Sequence, residues 1–128
     1  MAEKKEPQQK KIVVIDDEPE VCDLLKDFLE LNGYQASVAN RAADGLKIIE
    51  KESPDLVLLD IVMPQIDGLE CLARIKKIKP DVIVVIISGL QDEKIAKEAI
   101  RRGAYDYIAK PFDFTYLRNN VLSRIFAY

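Results

Sequence analysis

At 128 residues, 48% of them hydrophobic, the chain has the size of one domain and enough apolar material for a core without staples. Its formal net charge is −3, from 19 Lys and Arg against 22 Asp and Glu spread along the chain. That balance lacks the clustered basic patch of a nucleic-acid module, and no apolar run approaches the length of a membrane span. There is no histidine, which excludes a histidine metal ligand, a histidine general base and a phosphohistidine within this sequence.

The opening MAEKKEPQQKK is polar and charged, with no apolar stretch of the kind that marks a secretory signal. Residues 1–10 read as a disordered tail ahead of a domain at 11–128. KIVVID (11–16) is the first of five apolar runs and reads as a buried strand. Pro19 suits the first turn of a helix striped by Val21, Leu24, Leu25 and Phe28, which Asn32-Gly33 stops. YQASVA (34–39) alternates and reads as an edge strand, after which Asn40 is placed to cap a helix carrying Ala43, Leu46 and Ile49. DLVLLD (55–60) is a third strand, closed by a Met63-Pro64 turn and Asp67-Gly68. Leu72, Ile75 and Ile78 stripe the next helix. DVIVVIIS (81–88) is a fourth strand, followed by a helix with Ile95, Ala99 and Ile100 that ends near Gly103. YDYIAK (105–110) is the fifth, and Asp113 opens a last helix through Leu117, Val121 and Ile125. Five alternations of strand and helix predict an α/β fold, a (βα)5 doubly wound parallel sheet with helices on both faces.

In open parallel sheets, ligands bind outside the carboxyl ends of the strands. Those ends here are Asp16 and Asp17 with Glu18 next, Asn40, Asp60, Ser88-Gly89 and Lys110-Pro111. The end of the second strand offers little. Carboxylates on one sheet edge repel, by on the order of 4 kcal/mol for a pair about 4 Å apart at an effective dielectric near 20. A hard divalent cation such as Mg²⁺ would offset that repulsion through oxygen ligands. Lys110 and Ser88 are natural grips for a phosphoryl group, and a carboxylate accepts phosphoryl as an acyl phosphate. With no histidine, and no thiol at a strand end, Asp60 is the best nucleophile available. Cys22 and Cys71 show no metal or redox spacing and read as free thiols suited to a reducing cytoplasm.

The stretches VVIDDEP, DLVLLDIVMPQIDGLE, VVIISG and GAYDYIAKPF resemble the receiver domain of bacterial two-component response regulators, over about residues 11 to 127. The resemblance implies the flavodoxin-like strand order 2-1-3-4-5. It implies Asp60 as phosphoacceptor, and Mg²⁺ held by Asp17, Asp60 and the Val62 backbone carbonyl, with Asp16 acting through water or a hydrogen bond. Lys110 would grip a phosphoryl oxygen, Gly89 would keep the pocket open, and Lys110-Pro111 would be a cis peptide. Ser88 and Tyr107 would form the switch. The implied function is a phosphorelay receiver that catalyses only its own phosphorylation and dephosphorylation, in the cytoplasm. Because the sequence has no histidine, the phosphoryl group must come from a histidine kinase, a phosphotransfer domain or a small phosphodonor. The implied output is a downstream protein bound by the fourth helix, fifth strand and fifth helix, with a homodimer through that face as an alternative, and with neither membrane nor direct nucleic-acid contact.

Three other classes compete. An aspartate-nucleophile phosphohydrolase places nucleophile and acid two residues apart after the first strand, whereas IDDEPE has adjacent aspartates. A flavin carrier of this fold would have a Ser/Thr/Gly-rich loop there. A degenerate receiver that only binds partners would not need Asp16, Asp17, Asp60, Ser88 and Lys110 together.

Overall fold

Runs of Val, Ile and Leu buried on both faces can only be the middle of a sheet, and that is where the computed structural model, which describes residues 9–64, 66–90 and 92–126, puts them. The strands are β1 (Lys11–Ile15), β2 (Gln35–Ala39), β3 (Leu56–Leu59), β4 (Ile83–Ser88) and β5 (Asp106–Ala109). They pair in parallel in the order β2-β1-β3-β4-β5, as the resemblance implied. The expected tail lies outside the described residues apart from Gln9 and Lys10. Those two contact the fold: Gln9 Nε2 donates to the Gly33 carbonyl at 3.3 Å, and the Lys10 carbonyl accepts from Gln35 N–H at 2.9 Å.

The helices are α1 (Pro19–Leu31), α2 (Ala42–Glu52), α3 (Gly68–Ile78) and α4 (Glu93–Arg101). The last, α5, spans residues 114–125 and is α-helical at its two ends and π-helical over Leu117–Leu122. Alternate strand residues face opposite layers. Ile12, Val14, Leu56, Leu58, Val85 and Ile87 pack under α1 and α5, and Val13, Ile15, Val57, Leu59, Val84 and Ile86 under α2, α3 and α4.

The helix stripes are set differently from the apolar spacing. In α1 the buried positions are Cys22, Leu25 and Leu29, and Leu24 is 58% exposed. In α2 they are Ala42, Gly45 and Ile49, with Ala43 exposed. Ile78 and Ile100 also face solvent. Small residues go where a helix lies closest to the sheet: a Cβ on Gly45 would sit 2.4 Å from Ile15 Cδ1. Asn40 does not cap α2, whose N-cap is Arg41 with no side-chain cap bond. Asp67, Asp92 and Asp113 do cap α3, α4 and α5 by accepting backbone N–H groups.

Beyond β3 the chain forms a two-stranded antiparallel ribbon, Val62–Met63 against Ile66–Asp67, before α3 starts. Gly68 is buried at the root of α3, where a Cβ would lie 2.3 Å from the Ile61 backbone. The ribbon and this close approach keep the loop after Asp60 short and folded back on the sheet edge.

Candidate functional site

Three charged residues stand one position past the ends of their strands, and each is still tied by its backbone to the neighbouring strand. Asp16 N–H donates to the Ala39 carbonyl at 3.0 Å, Asp60 N–H to Ile15 at 2.9 Å and Lys110 N–H to Ser88 at 2.8 Å. The sheet therefore aims all three side chains at one mouth. Asp16 and Asp60 are buried at 3% and 5% exposure. Asp17 is half-buried, and oxygens of Asp16, Asp17 and Asp60 lie within 4.8 Å of one another. Asp17 and Asp60, with Glu18, Val62, Gly89, Leu90 and Lys110, edge an open cleft of about 420 Å³.

Each loop folds back to hold its own carboxylate. Asp60 Oδ1 accepts from Val62 N–H at 2.9 Å, and Asp16 Oδ1 from Glu18 N–H at 2.9 Å. The remaining oxygens meet Lys110, whose Nζ donates to Asp16 Oδ2 at 2.7 Å, Asp60 Oδ2 at 3.0 Å and Glu18 Oε2 at 3.1 Å. An ammonium has three donors, and all three are used. Burial works against the Lys110 charge, but hydrogen bonds to Asp16, Asp60 and Glu18 outweigh it and hold the ammonium above its ordinary pKa. Asp16 is pushed up by burial, against the hydrogen bonds from Lys110 and Glu18 N–H.

On the far side of the mouth, Ser88 is fully buried and its Oγ accepts from Leu90 N–H at 3.1 Å. Tyr107 O–H donates to the Leu90 carbonyl. Its phenol is raised in pKa by burial, with a hydrogen bond from the Ser88 hydroxyl opposing. Two hydroxyls from β4 and β5 thus grip one residue of the loop that leads to α4. Lys110-Pro111 is cis.

An acidic mouth with a bonded lysine on this topology narrows the field, and the family model for the response regulator receiver domain matches residues 12–122. The chain belongs to that family. Receiver domains are the phospho-accepting signalling domains of two-component systems. This receiver domain is 37% identical over 110 residues to the "Probable C4-dicarboxylate response regulator DctR" of Bacillus subtilis (strain 168), an alignment covering 84% of the chain and 49% of the relative. The chain thus spans about half the length of that relative, and 23% of the nitrogen assimilation regulatory protein NtrX of Azorhizobium caulinodans. A CheY-like receiver from Methanospirillum hungatei JF-1 superposes with a TM-score of 0.88 at 30% identity, covering 92% of this chain and 94% of the other. A response regulator from Burkholderia pseudomallei, solved with a phosphorylated aspartic acid, a calcium ion and citrate, superposes with a TM-score of 0.81 at 26% identity over 86% of this chain and 65% of that one.

In the receiver domain the expected residues Asp16, Asp17, Asp60 and Lys110 come together, with the Val62 backbone beside Asp60 and with Ser88 and Tyr107 meeting at Leu90. Two participants escape the sequence. Glu18 follows the acidic pair like an ordinary helix-start residue, but its carboxylate is the third partner of Lys110. Asn40, at the strand end without a charged group, donates to the Asp16 carbonyl at 3.0 Å. The signal for Glu18 is a third consecutive acid, and the signal for Asn40 is no more than its place at a strand end. Among the described residues no helix is long and apolar enough to cross a membrane.

Proposed function

We propose that Asp60 is the phosphoacceptor of this receiver domain, that Mg²⁺ is held by Asp17, Asp60 and the Val62 backbone carbonyl with Asp16 in support, and that Lys110 and Ser88 grip the incoming phosphoryl group. The observation that carries the reading is Lys110 bonded to Asp60 and Asp16 at 3.0 and 2.7 Å, beside a third carboxylate. The donor set fits the ion, since it is all oxygen, acidic and open to solvent on one side. When bound, Mg²⁺ neutralises charge on the carboxylates and on the transferring phosphoryl oxygens.

The chain's own residues do the rest. An Asp60 oxygen attacks phosphorus, the donor's N–P or O–P bond breaks, and an acyl phosphate forms on Asp60. Lys110, with its donors all in use, exchanges the exposed Glu18 for a phosphoryl oxygen. Ser88 Oγ leaves Leu90 N–H to donate to the phosphate, which frees the loop that Tyr107 also holds.

The donor is a histidine kinase or phosphotransfer domain, and the output is a partner on the α4-β5-α5 face, in the cytoplasm. A homodimer through that face is the alternative: Arg101 and Arg102 both pair with Glu98, at 2.7 Å each, in exposed contacts that a partner's acidic groups could replace.

The test is incubation with a small phosphodonor such as acetyl phosphate, with and without Mg²⁺, followed by intact-mass measurement. Wild type gains one phosphate only with the metal, and Asp60→Asn gains none. Uptake by Asp60→Asn at the wild-type rate would move the acceptor elsewhere.

A further inference from the structure

The end of β2 carries no charged group, yet it reaches the acidic mouth. Asn40 Nδ2 donates to the Asp16 carbonyl at 3.0 Å and lies 3.3 Å from Cys22 Sγ. The Cys22 thiol, 1% exposed, points at the same Asp16 carbonyl at 3.4 Å and at the Ala39 carbonyl at 3.8 Å. A carbonyl oxygen accepts and never donates, so the side of Asn40 that faces it is the amide nitrogen. Asp16 N–H in turn donates to the Ala39 carbonyl at 3.0 Å, so the backbone of Asp16 is held from both of its polar groups by the end of β2 and by α1.

The consequence for the pocket is geometric. The Asp16 carbonyl and Asp17 N–H are opposite ends of one planar peptide group. Holding the carbonyl fixes the plane from which the chain departs toward Asp17, one of the three clustered carboxylates. The same turn carries Glu18 N–H back to Asp16 Oδ1 at 2.9 Å. We propose that Asn40, backed by the Cys22 thiol, is a positioning residue of the acidic pocket, which fixes the Asp16–Asp17 peptide and thereby sets the pocket's affinity for a divalent cation. This rests on the reading of that pocket as the Mg²⁺ site.

A role confined to the β2–α2 junction predicts something else. Arg41, not Asn40, stands at the N-cap of α2. If Asn40 served only as a local polar cap, serine would replace it, since serine caps as well as asparagine does. Serine is too short to carry a donor to the Asp16 carbonyl. Asn40 is exposed, so substitutions there leave the core intact.

The experiment compares wild type, Asn40→Ala, Asn40→Ser and Asn40→Gln in the full chain. Mg²⁺ alone is titrated by calorimetry, and amide hydrogen exchange is followed in the metal-free protein at Glu18 and, as a control for global opening, at Ile86. Alanine and serine are both expected to weaken Mg²⁺ binding about tenfold, the effect usual for a group that orients a ligand without touching the ion. Both speed exchange at Glu18 and leave Ile86 unchanged, and glutamine, which keeps the amide donor, recovers part of the affinity. Wild-type affinity and Glu18 exchange in the alanine variant, or full recovery in the serine variant, would overturn the proposal. If wild type itself binds no Mg²⁺, the reading of the pocket falls separately, and Glu18 exchange still decides whether Asn40 holds the Asp16–Asp17 peptide.

Discussion

Asp16 is a buried carboxylate whose pKa is raised above the ordinary 3.8, and the sign of that shift has a measurable result. A group that binds its proton more tightly in the native than in the unfolded chain makes stability fall as pH rises. Metal-free protein therefore loses stability as pH climbs from about 3.8 through the raised pKa of Asp16, and Asp16→Asn flattens that part of the curve. Urea unfolding at a series of pH values checks it, and an unchanged slope in the variant would refute it. On the proposed chemistry, two other residues at the mouth would bear on the lifetime of the acyl phosphate. Val62 and Leu90 are 50% and 36% exposed, apolar, and both line the cleft beside Asp60. Neither side chain can hydrogen-bond a water for attack on phosphorus at Asp60, and both would shield it. After donor removal the phosphorylated wild type is expected to decay more slowly than Val62→Asn/Leu90→Glu, and equal decay measured by mass would sink the idea. Asp16, Asp17, Asp60 and Lys110 were legible because they cluster at strand ends, whereas Glu18 reads as an ordinary helix-start acid. Asn40 was not, because its amide acts on a backbone carbonyl 24 positions away, a relation that side-chain type does not encode.

The junction between β3 and α3 depends on one hydrogen atom. A Cβ on Gly68 would meet Ile61 Cα, Cβ and O at 2.3 Å, and two of those are backbone atoms that cannot swing aside. Alanine would gain helix propensity of at most about 1 kcal/mol. Overpacking of about 1–3 kcal/mol or more opposes it, and sterics win because the contact is with main chain. Gly68→Ala is thus expected to lower stability in denaturant unfolding and to weaken Mg²⁺ binding, since the ribbon that carries Val62 must shift. An equally stable variant would show that α3 can slide. Strands were readable because burial on both faces leaves continuous apolar runs. Helix faces were misread at Leu24, Ala43 and Ile100, because apolar spacing ignores Cys22, Ala42 and Gly45, the small residues on which the helices approach the sheet. The ribbon at 62–67 was invisible, as two-residue strands carry no periodicity.

Across the whole molecule, the sheet separates two apolar layers, and each holds one thiol. Cys22, on the inner face of α1, belongs to the layer of α1 and α5, and Cys71, on the inner face of α3, to the layer of α2, α3 and α4. Both are unpaired, and burial above all pushes each to a pKa of about 11. At neutral pH both are protonated and inaccessible. A thiol reagent is expected to label the native chain only as fast as it opens, with labelling accelerating in step with added denaturant. Rapid labelling without denaturant, or an intramolecular disulfide after mild oxidation, would contradict the layering.

On the proposed reading of the α4-β5-α5 face as the output surface, the double grip on Leu90 would make that surface an input as well. Ser88 and Tyr107 hold that residue by its N–H and its carbonyl, so a partner that binds better once Tyr107 has let go also favours the pocket in which Ser88 has let go. Linkage is symmetric for equilibrium binding: a saturating partner that prefers the released arrangement tenfold, about 1.4 kcal/mol, biases the pocket tenfold toward the arrangement in which Ser88 is free. The share of receivers poised to take up phosphate would then rise with the abundance of the listener.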